Sequence, residues 1–365
     1  MPMKIVNVMW AGGSPYQSVH KVHQQILSQA GADASIANWV LLSGPLCCGQ
    51  GSIKSWNVPQ KMLKGRHLWR LLHPWLRARL RRELVQFDAD AVLLDGIGVA
   101  RLLLPVLQQL PTVRATVIFH GATRLRAQDI QLLRSIPVER LNVVAVSQTL
   151  AQALEPVLGR SVKNLRVALD PQRFTQALLG RREARDALGV QPEARRVLAA
   201  VGRLVDSKGF ELLVDAFYQA RQRHPDLYLV ILGEGELRAR LQAQITRLGL
   251  DHCLQLSGHR PDMQRLYRAF DWLLVPSRSE GLGLVVQEAV LADVPVICSD
   301  LPVFREQLGD AGRYHPAADT AAWVEAIALC AERDGSDVAA AQRQVLAPEQ
   351  SWQAFCEGSA SLLRR

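Results

Sequence analysis

The sequence predicts two doubly wound α/β domains of similar size that face a central cleft. Short β-rich runs alternate with stretches of helical spacing along most of the chain, a pattern typical of parallel strands joined by crossover helices. A polar, arginine-rich and proline-containing passage, 170–196, interrupts this alternation near the middle and is interpreted as an interdomain link. The length of 365 residues also suits two domains better than one core.

The β-rich runs fix the expected order of strands in each half. In the first half they are Lys4–Met9, Ala34–Leu42, Ala91–Leu94, Val113–Phe119, Leu141–Val146 and Asn164–Leu169. In the second half they are Val197–Val201, Leu227–Leu232, Cys253–Ser257, Trp272–Val275 and Val294–Cys298. We therefore place the domains at 1–170 and 171–348, followed by a terminal helix at 349–365.

The composition excludes several classes of protein. Hydrophobic residues make up 48% and charged residues 21% of the chain, which argues against disorder, collagen and coiled coil. No uninterrupted apolar stretch reaches the roughly 20 residues of a membrane-spanning helix, and Met1–Trp10 is typical of a strand rather than an export signal. Six scattered cysteines without CxxC pairs argue against a disulfide framework and a zinc site. These features favour the cytoplasm.

The net charge of +9 is concentrated in the first half, where 1–170 carries +11 and 171–365 carries −2. The densest part is the basic stretch, defined here as residues 54–82, with nine Lys and Arg and no acid. Leucines in and just after the stretch recur at every fourth position, with arginines between them and tryptophans nearby: Leu68, Leu72, Leu76, Leu80, Leu84, Arg77, Arg79, Arg81, Arg82, Trp69 and Trp75. The leucines alone indicate an ordinary helix packed on the sheet.

The basic stretch contains no acidic residue to balance its positive charge, and it contains tryptophans. These two features suggest a second role for it. Our hypothesis is that it docks on an anionic membrane surface or on a phosphorylated glycolipid. Pro74 predicts a kink or two helices there. Nucleic acid is not predicted as a partner, because no RNA- or DNA-binding module is present and the cations do not interleave with aromatic residues.

A first motif follows the run Val197–Val201. The segment Gly202–Phe210 reads GRLVDSKGF and opens the predicted helix Glu211–Ala220. Arg203 and Lys208 can converge there on one anion, helped by the backbone N–H groups at a helix N-terminus. Two solvated surface charges are the ordinary alternative.

A second motif, PSRSEGLGLVVQEA, directly follows the run Trp272–Val275. Glu280 lies in the loop after the strand, and two glycines allow backbone N–H groups to approach a ligand. If a helix begins near Gly283, Glu288 lies further along its axis, so the two acids can contact different parts of one extended ligand. An ordinary helix with one acid near its start and one buried acid is the alternative.

Together the two motifs resemble glycosyltransferase family 4, whose members are retaining enzymes with the GT-B fold. The resemblance covers nearly all of 197–300 through GRLxxxKG, Gly233-Glu234-Gly235, Ser257-Gly258-His259, the Glu280–Glu288 pair, Pro295-Val296-Ile297 and Ser299-Asp300. The first half resembles the family more loosely, through Gly12-Gly13, His120-Gly121 and Val146-Ser147. The terminal helix resembles the family's last helix, which usually crosses back to the first domain.

The resemblance implies a role for each matching residue. Arg203 and Lys208 would bind the donor diphosphate and stabilise its developing charge, Glu280 would orient the donor sugar, and Glu288 would hold the ribose. His120 would lie beside the sugar near the acceptor. The remaining donor-binding residues would be Gly13, Arg260, Gly281, Leu282, Gly283 and Leu284. For His120, a histidine that merely bonds to backbone is the alternative.

The reaction implied is transfer of a hexosyl group from a nucleotide sugar, with retained configuration. UDP is favoured as the carrier, and GDP is the alternative. The expected acceptor is a cell-envelope glycan or a lipid-linked acceptor such as lipopolysaccharide core or exopolysaccharide, and the enzyme is expected to be cytoplasmic and peripheral at the inner face of the membrane. Other interpretations are a synthase of a small soluble sugar, of the sucrose or trehalose type, and a non-catalytic nucleotide-sugar-binding protein.

No metal or other cofactor is expected. Asp88-Ala89-Asp90 matches the DxD motif of metal-dependent glycosyltransferases. It precedes the run Ala91–Leu94, however, and the start of a strand is the wrong end for a ligand site. We interpret these acids as a turn and capping pair.

Overall fold

The computed structural model describes residues 2–13, 17–45, 50–63, 71–190 and 196–364. The chain divides into two compact units: unit 1 consists of 1–167 with 353–365, and unit 2 consists of 168–352. Each unit contains one sheet in which all paired strands are parallel. The prediction of two doubly wound α/β domains is confirmed.

Unit 1 is built on a seven-stranded sheet of order β3-β2-β1-β4-β5-β6-β7. Its strands are β1 Lys4–Met9, β2 Ser35–Val40, β3 Ser52–Ser55, β4 Ala91–Asp95, β5 Arg114–Phe119, β6 Leu141–Ala145 and β7 Lys163–Asn164. Its helices are α1 Gln17–Leu27, α2 Gln60–Leu63, α3 His73–Phe87, α4 Gly96–Leu107, α5 Ala127–Arg134 and α6 Gln148–Leu158. The strand order reverses between β1 and β4, which makes the carboxyl ends of these two strands the switch point of the sheet.

Unit 2 is built on a six-stranded sheet of order β10-β9-β8-β11-β12-β13. Its strands are β8 Arg196–Val201, β9 Leu227–Leu232, β10 Leu254–Gly258, β11 Trp272–Val275, β12 Val296–Ser299 and β13 Arg313–His315. Its helices are α7 Pro171–Ala177, α8 Arg181–Leu188, α9 Phe210–Arg221, α10 Arg238–Arg247, α11 Leu284–Leu291, α12 Pro302–Leu308, α13 Thr320–Glu332 and α14 Ser336–Leu346. The switch point of this sheet lies between β8 and β11.

The last helix, α15 Pro348–Leu363, begins in unit 2 and belongs to unit 1 from residue 353 onward. Phe355, on its unit 1 part, is 1% exposed. At Gly358 an added Cβ would lie 2.8 Å from Leu165 Cδ1, so this part of the helix packs tightly against unit 1.

The central strands are continuous apolar runs because both faces of the sheets are covered. All six residues of β9 are buried, and so are all four of β11. Such runs are typical of parallel strands. In contrast, β3 (SIKS) and β13 (RYH) are short, mostly polar edge strands, and neither was predicted from the sequence.

The prediction of a strand over Asn164–Leu169 was wrong beyond its first residue. The neighbouring strand β6 ends at Ala145, which pairs with Asn164, so the residues after Asn164 have no strand beside them to extend β7. Leu165 N still donates to the Ala145 carbonyl at 2.9 Å and Val167 N to the Val146 carbonyl at 3.3 Å. The segment then enters unit 2.

The passage 170–196, interpreted as a link, contains two helices of unit 2, α7 and α8, as far as it is described. Asp170 caps α7 by accepting from Arg173 N at 3.0 Å. Arg181 and Arg185 lie 2.5 and 2.8 Å from the carboxylate of Asp271, whose side chain is 4% exposed. Both arginines are therefore ion-pair partners of a buried acid of unit 2.

The basic stretch contains most of α3. Pro74 lies in the first turn of this helix, where its missing N–H costs nothing, so it does not kink the helix. Leu76, Leu80 and Leu84 are buried as expected, whereas Leu72 is 44% exposed. Lys54 pairs with Glu83, just outside the stretch, at 2.5 Å. Leu68, Trp69 and their neighbours at 64–70 lie outside the described residues.

Asp88 and Asp90 form the turn between α3 and β4, at the amino end of the strand. Asp88 adopts a left-handed conformation with φ of 55° and ends α3, and its carboxylate lies 3.2 Å from Lys4 Nζ. Asp90 accepts from the Lys4 backbone N–H at 2.8 Å. Both acids thus have structural partners.

Cys253, Cys298, Cys330 and Cys356 are free thiols, and the first three are buried. Cys47 and Cys48 lie outside the described residues. Among the helices that the structure describes, none combines the length and the apolar character needed to cross a bilayer.

Candidate active site

In unit 2, the loops after β8 and β11 are neighbours at the switch point of the sheet. The two strands pair in parallel through Trp272–Leu198 and Leu273–Ala199, so their carboxyl ends lie side by side. The loops are also bonded directly, because Arg278 N donates to the Ser207 carbonyl at 2.8 Å. Ligands of open parallel sheets bind at such a point.

Lys208 and Glu280, one from each loop, form an ion pair at this point. Lys208 Nζ donates to Glu280 Oε1, which also accepts from Ser277 Oγ at 2.9 Å. The side chains of Lys208 and Glu280 are 17% and 11% exposed, so the pair is largely shielded but remains reachable from solvent. The structure thus brings together one cation and one acid from the two motifs.

Two glycines allow these loops to approach closely. Gly209 has φ of 70°, and an added Cβ would lie 2.1 Å from the Pro276 carbonyl oxygen of the other loop. Gly283 has φ of 78°, and an added Cβ would lie 2.6 Å from Phe304 Cε1. A side chain at either position would therefore move the backbone that carries Lys208 or the start of α11.

The helix that follows Glu280 offers an anion-binding end. α11 begins at Leu284 with Gly283 as its N-cap, as the sequence predicted, and it has neither a capping side chain nor an acid in its first turn. Leu282 is buried, and its carbonyl accepts from Gln307 Nε2, which fixes the loop. The N–H groups at such a helix start favour a negatively charged ligand. Gly281 lies between Glu280 and this helix start.

Arg203 lies on the same loop as Lys208, but its side chain is exposed. Within the described parts of the chain its guanidinium makes no hydrogen bond or ion pair. The structure therefore places both cations on one loop without bringing them together on a shared partner.

Glu288 lies on α11, one turn into the helix, and is 9% exposed. Its carboxylate accepts from Tyr267 Oη at 2.6 Å and from Gln264 Nε2 at 2.9 Å. Burial, and secondarily the Glu288 carboxylate, raise the pKa of Tyr267 well above its ordinary range, so Tyr267 keeps its proton and donates. Glu288 is thus a positioned carboxylate, separate from the Lys208–Glu280 pair.

Arg260 follows β10, an edge strand of the sheet. Its guanidinium donates to both oxygens of Asp262, at 3.0 and 3.1 Å, and to the Ala187 carbonyl at 3.0 Å. The side chain is therefore held by its own surroundings, away from the Lys208–Glu280 pair along the sheet.

In unit 1, Gly13 follows β1 with φ of 96°. Its N–H donates to the Pro45 carbonyl at 2.9 Å, and the Gly12 N–H donates to the Ser43 carbonyl at 3.1 Å. An added Cβ at Gly12 would lie 2.2 Å from the Gly44 carbonyl oxygen. The glycine pair thus lets two loops of unit 1 touch, and the Gly13 N–H already has an acceptor.

His120 directly follows β5 and is part of a largely buried polar cluster in unit 1. His120 Nε2 lies 3.2 Å from His23 Nε2 and 3.8 Å from Asp95 Oδ1. Asp95 also accepts from the Trp10 N–H at 3.1 Å. His120, Asp95 and the following Gly121 and Thr123 line a cavity of about 320 Å³.

The protonation of this cluster is dominated by burial. Burial raises the pKa of Asp95 to about 6 and lowers the pKa of His120 to about 4. Burial, followed by the repulsion that protonated His120 and His20 would exert on a protonated His23, lowers the pKa of His23 well below its ordinary value. Near neutral pH both histidines of the pair are therefore uncharged.

Sequence reasoning did not select Asp95 and His23. Asp95 ends β4, next to the strand-end loop of β1, and this placement at a switch point was a signal that could have identified it. His23 lies on the buried face of α1 with His20, Val22 and Ile26, and its partner is 97 residues away in the sequence. No spacing rule connects these two positions.

The fold of the chain, two parallel-sheet Rossmann-like α/β units, is that of solved GT-B glycosyltransferase structures. Among solved structures, Anabaena Alr3699/HepE in complex with UDP aligns with a TM-score of 0.77 and 17% identity, over 99% of each chain. WaaG, a glycosyltransferase involved in lipopolysaccharide biosynthesis, aligns with a TM-score of 0.77 and 15% identity, over 98% of this chain and 99% of that one.

Residues 181–345, which lie within unit 2, match the family model of glycosyl transferases group 1. A curated relative, the lipopolysaccharide core biosynthesis mannosyltransferase LpsB of Rhizobium meliloti, is 27% identical over 221 residues, or 54% of this chain and 62% of LpsB. The chain spans between 50% and 62% of the lengths of the first three curated relatives.

Proposed function

We propose that this protein is a retaining glycosyltransferase that moves a hexosyl group from a nucleotide sugar, with UDP as the favoured carrier and GDP as the alternative. The observation that carries the proposal is the Lys208–Glu280 pair at the switch point of unit 2, beside the uncapped start of α11. A cation, an acid and the N–H groups of a helix start without a capping side chain, all in one place, suit a diphosphate that bears a hydroxyl-rich sugar. The UDP complex of Alr3699/HepE, which shares the fold, supports UDP.

In this proposal Lys208 exchanges one anionic partner for another. It now donates to Glu280, and a bound diphosphate would take its place at the ammonium group. Glu280 would then turn to the hydroxyls of the donor sugar, still bonded to Ser277. Arg203, exposed on the same loop, would join Lys208 on the diphosphate.

Glu288 would hold the ribose of the nucleotide. Its carboxylate is oriented by Tyr267 and Gln264, and each oxygen retains a lone pair that can accept from a ribose hydroxyl. The N–H groups around Gly281, Leu282, Gly283 and Leu284 would contact the phosphates. Arg260 would contribute through its backbone, since its side chain is engaged with Asp262. Gly13 would act by allowing close approach rather than by donating its N–H.

The proposed chemistry is front-face displacement. The bond from the anomeric carbon to the leaving phosphate oxygen breaks as the acceptor oxygen attacks from the same face, and the leaving diphosphate takes the proton of the acceptor hydroxyl. The protein positions the reactants and stabilises the charge on the diphosphate. No metal is proposed for this step; full activity in excess chelator, and retained configuration in the NMR spectrum of the product, are the expected results.

The donor site is tested by a thermal-shift panel of UDP-, GDP- and ADP-sugars. A tight ligand raises the melting temperature by mass action, so we expect a clear shift with UDP-glucose or a related UDP-sugar. Arg203→Ala and Lys208→Ala should each lower donor affinity or turnover roughly 10- to 150-fold, because a hydrogen bond to a charged group contributes about 1.5–3 kcal/mol.

The matched control for these variants is Arg223→Ala. Arg223 is an exposed arginine of unit 2 that pairs with Glu325 at 3.0 Å, and it should leave donor binding unchanged. The proposal fails if no nucleotide sugar shifts the melting temperature, or if the Arg203/Lys208 double alanine variant keeps full turnover. Binding without turnover towards any acceptor would favour a non-catalytic nucleotide-sugar-binding protein.

We further propose that the acceptor is a cell-envelope glycan or a lipid-linked glycan, such as lipopolysaccharide core, and that unit 1 docks on the inner face of an anionic membrane. The name of LpsB supports the acceptor. At the start of α3, Leu71 and Trp75 are 74% and 61% exposed, and Arg79 lies 5.9 Å from the Trp75 ring centre. Exposed apolar residues next to arginines suit a lipid headgroup region.

Three more arginines extend this surface. Arg77, Arg81 and Arg82 line a groove of about 660 Å³ together with Pro105 and Val106 of α4. Such a groove suits the phosphate groups of lipids or of a phosphorylated glycolipid. A small soluble acceptor, as in a sucrose- or trehalose-type synthase, would need neither the exposed apolar residues nor this groove.

Vesicle flotation tests the membrane proposal. We expect flotation with vesicles that contain phosphatidylglycerol and much less with neutral ones. Trp75→Ser and the pair Arg81→Gln/Arg82→Gln should weaken it, whereas Val138→Ser and Arg182→Gln/Arg247→Gln should not, since they remove equally exposed groups elsewhere. Equal, weak flotation with both kinds of vesicle would exclude membrane docking and would leave the donor chemistry untouched.

A further inference from the structure

A chain of hydrogen bonds leads from the edge of unit 1 to His120. Asn38 Nδ2 donates to the Gln50 carbonyl at 2.7 Å, and Asn7 Nδ2 donates to Asn38 Oδ1 at 2.9 Å. His23 Nδ1 lies 2.7 Å from Asn7 Oδ1, and His23 Nε2 lies 3.2 Å from His120 Nε2. Asn7, Asn38 and His23 are all fully buried, so each bond of the chain is structurally important.

The first acceptor of this chain fixes the direction of every bond in it. A backbone carbonyl can only accept, so the Asn38 amide must present its NH₂ to Gln50 and its oxygen to Asn7. Asn7 must then donate to Asn38, which leaves its own oxygen facing His23. Because an amide oxygen only accepts, His23 Nδ1 carries a hydrogen. In a neutral imidazole, His23 Nε2 is then an acceptor.

The same logic assigns the tautomer of His120. Its Nε2 faces the acceptor nitrogen of His23, so His120 Nε2 carries the hydrogen and Nδ1 carries the lone pair. Both rings are neutral because burial lowers the pKa of each, that of His120 to about 4. His120 Nδ1 has no hydrogen-bond partner within the part of the chain that the structure describes, and the His120 side chain lines the cavity with Asp95 and Gly121.

We propose that Asn38, Asn7 and His23 are positioning residues that hold His120 as its neutral Nε2–H tautomer, so that His120 Nδ1 accepts a hydrogen bond from a sugar hydroxyl. The identity of the ligand rests on the proposed function, whereas the tautomer does not. With so low a pKa His120 is a poor base, and it therefore binds the hydroxyl rather than removing its proton. A buried acceptor of this kind discriminates strongly against a ligand that lacks the hydroxyl.

The tautomers can be read directly by long-range ¹H–¹⁵N NMR of the full-length protein with ¹⁵N-labelled histidine. At neutral pH we expect His23 to carry its hydrogen on Nδ1 and His120 on Nε2. His20 is an internal control, since its Nε2 lies 2.8 Å from the Ala11 carbonyl and must carry the hydrogen in every variant. His120→Gln and His23→Gln assign the signals by their loss.

Variants then test whether the chain sets the tautomer. Asn7→Leu removes the acceptor of His23 Nδ1, so we expect both His23 and His120 to become mixtures of tautomers while His20 stays unchanged. Asn142→Leu, on β6 and outside this chain, should change none of them. His23→Gln keeps an acceptor for His120 and should preserve Nε2–H, whereas His23→Leu should not.

Turnover gives a second readout. With UDP-glucose and a working acceptor, His23→Leu should lower kcat/KM about tenfold, the effect of losing one ordinary hydrogen bond, and His23→Gln should restore most of it. If the NMR tautomers are as expected but no turnover is found with any donor, the proposed function fails and the positioning role stands. If turnover is found but His120 carries its hydrogen on Nδ1, the positioning role fails.

One further outcome would overturn the inference. His23, Asp95 and His120 each offer a ligand atom, and these atoms lie within 4.8 Å of one another, so the same cluster could hold a divalent metal ion. A metal there would require both Nε2 atoms to be unprotonated, which is the opposite tautomer of His120. Stoichiometric binding of Co²⁺ or Zn²⁺ to chelator-treated protein, abolished in His23→Leu, would therefore replace the positioning role. If Asn7→Leu fails to fold, the histidine tautomers measured in the wild-type protein still decide between the positioning role and a metal site.

Discussion

At the scale of single residues, Asp95 and His120 are two buried ionisable groups whose effects on stability have opposite signs. The pKa of Asp95 is raised to about 6 from 3.8, so as pH rises from about 4 to 6 the unfolded chain loses this proton first and the free energy of unfolding falls. The pKa of His120 is lowered to about 4 from 6.5, so the free energy of unfolding falls as pH decreases from about 6.5 to 4. The two effects oppose each other in the same range of pH.

We therefore predict that removing either group reveals how the other group makes the free energy of unfolding depend on pH. Asp95→Asn, which can still accept from the Trp10 N–H, should gain about 3 kcal/mol relative to wild type between pH 4 and pH 6. His120→Gln should gain a similar amount relative to wild type as pH falls from about 6.5 to 4. Equilibrium urea unfolding of the three proteins across this range measures both effects.

Asp310 is an exposed acid of unit 2. The variant Asp310→Asn therefore shows how the loss of one negative charge in itself changes the free energy of unfolding. The assignment is contradicted if Asp95→Asn follows the wild-type curve at every pH, since the carboxyl would then titrate alike in the folded and unfolded chain.

At the scale of elements, the unit 2 site depends on how closely the loops after β8 and β11 approach each other. Gly209 and Gly249 both have positive φ, of 70° and 68°. An added Cβ at Gly209 would lie 2.1 Å from the Pro276 carbonyl oxygen, whereas at Gly249 nothing lies within 4 Å. Substitutions at the two positions therefore separate the effect of the loop contact from the effect of backbone strain.

We predict that Gly209→Ala lowers donor affinity at least tenfold, because the new methyl group would push the Lys208 loop away from the Glu280 loop. Gly249→Ala should cost about 1 kcal/mol of stability from its left-handed backbone and should leave donor affinity unchanged. Calorimetric titration with UDP, together with urea unfolding, distinguishes the two effects. Equal affinity in both variants would mean that the loop contact does not shape the site.

The sequence predicted these elements unevenly, for physical reasons. Strands buried on both faces, such as β9 and β11, are continuous apolar runs and were recognised. Edge strands β3 and β13 bury little and leave no such pattern. The passage that contains α8 was interpreted as a link because the partner of Arg181 and Arg185, Asp271, lies more than 80 residues further along the chain.

The sequence likewise predicted some features of the candidate sites and not others. The motifs placed Lys208 and Glu280 at neighbouring strand ends, but the sequence did not show that they would bond to each other or leave Arg203 exposed. The cluster around His120 combines residues of β1, α1, β4 and the loop after β5, and long-range side-chain contacts of this kind depend on the packed structure.

At the scale of the whole molecule, the last helix ties the end of the chain into unit 1. Phe355 on α15 is 1% exposed, and Gly358 packs so closely on Leu165 that an added Cβ would lie 2.8 Å from its Cδ1. The residues just before them, up to 352, belong to unit 2. The stability of unit 1 therefore depends on a segment that follows the whole of unit 2 in the sequence.

We predict that Phe355→Ala destabilises unit 1 by about 3–5 kcal/mol, the usual cost of emptying a buried aromatic site. Because a chain of two units need not unfold in one step, hydrogen exchange followed peptide by peptide is the appropriate measurement. Exchange in β1, β4, β5 and β6 should accelerate, while exchange in β8, β9 and β11 should not. Gln353→Ala, an exposed change on the same helix, should alter neither set. Equal acceleration in both sheets would instead show that the two units unfold together.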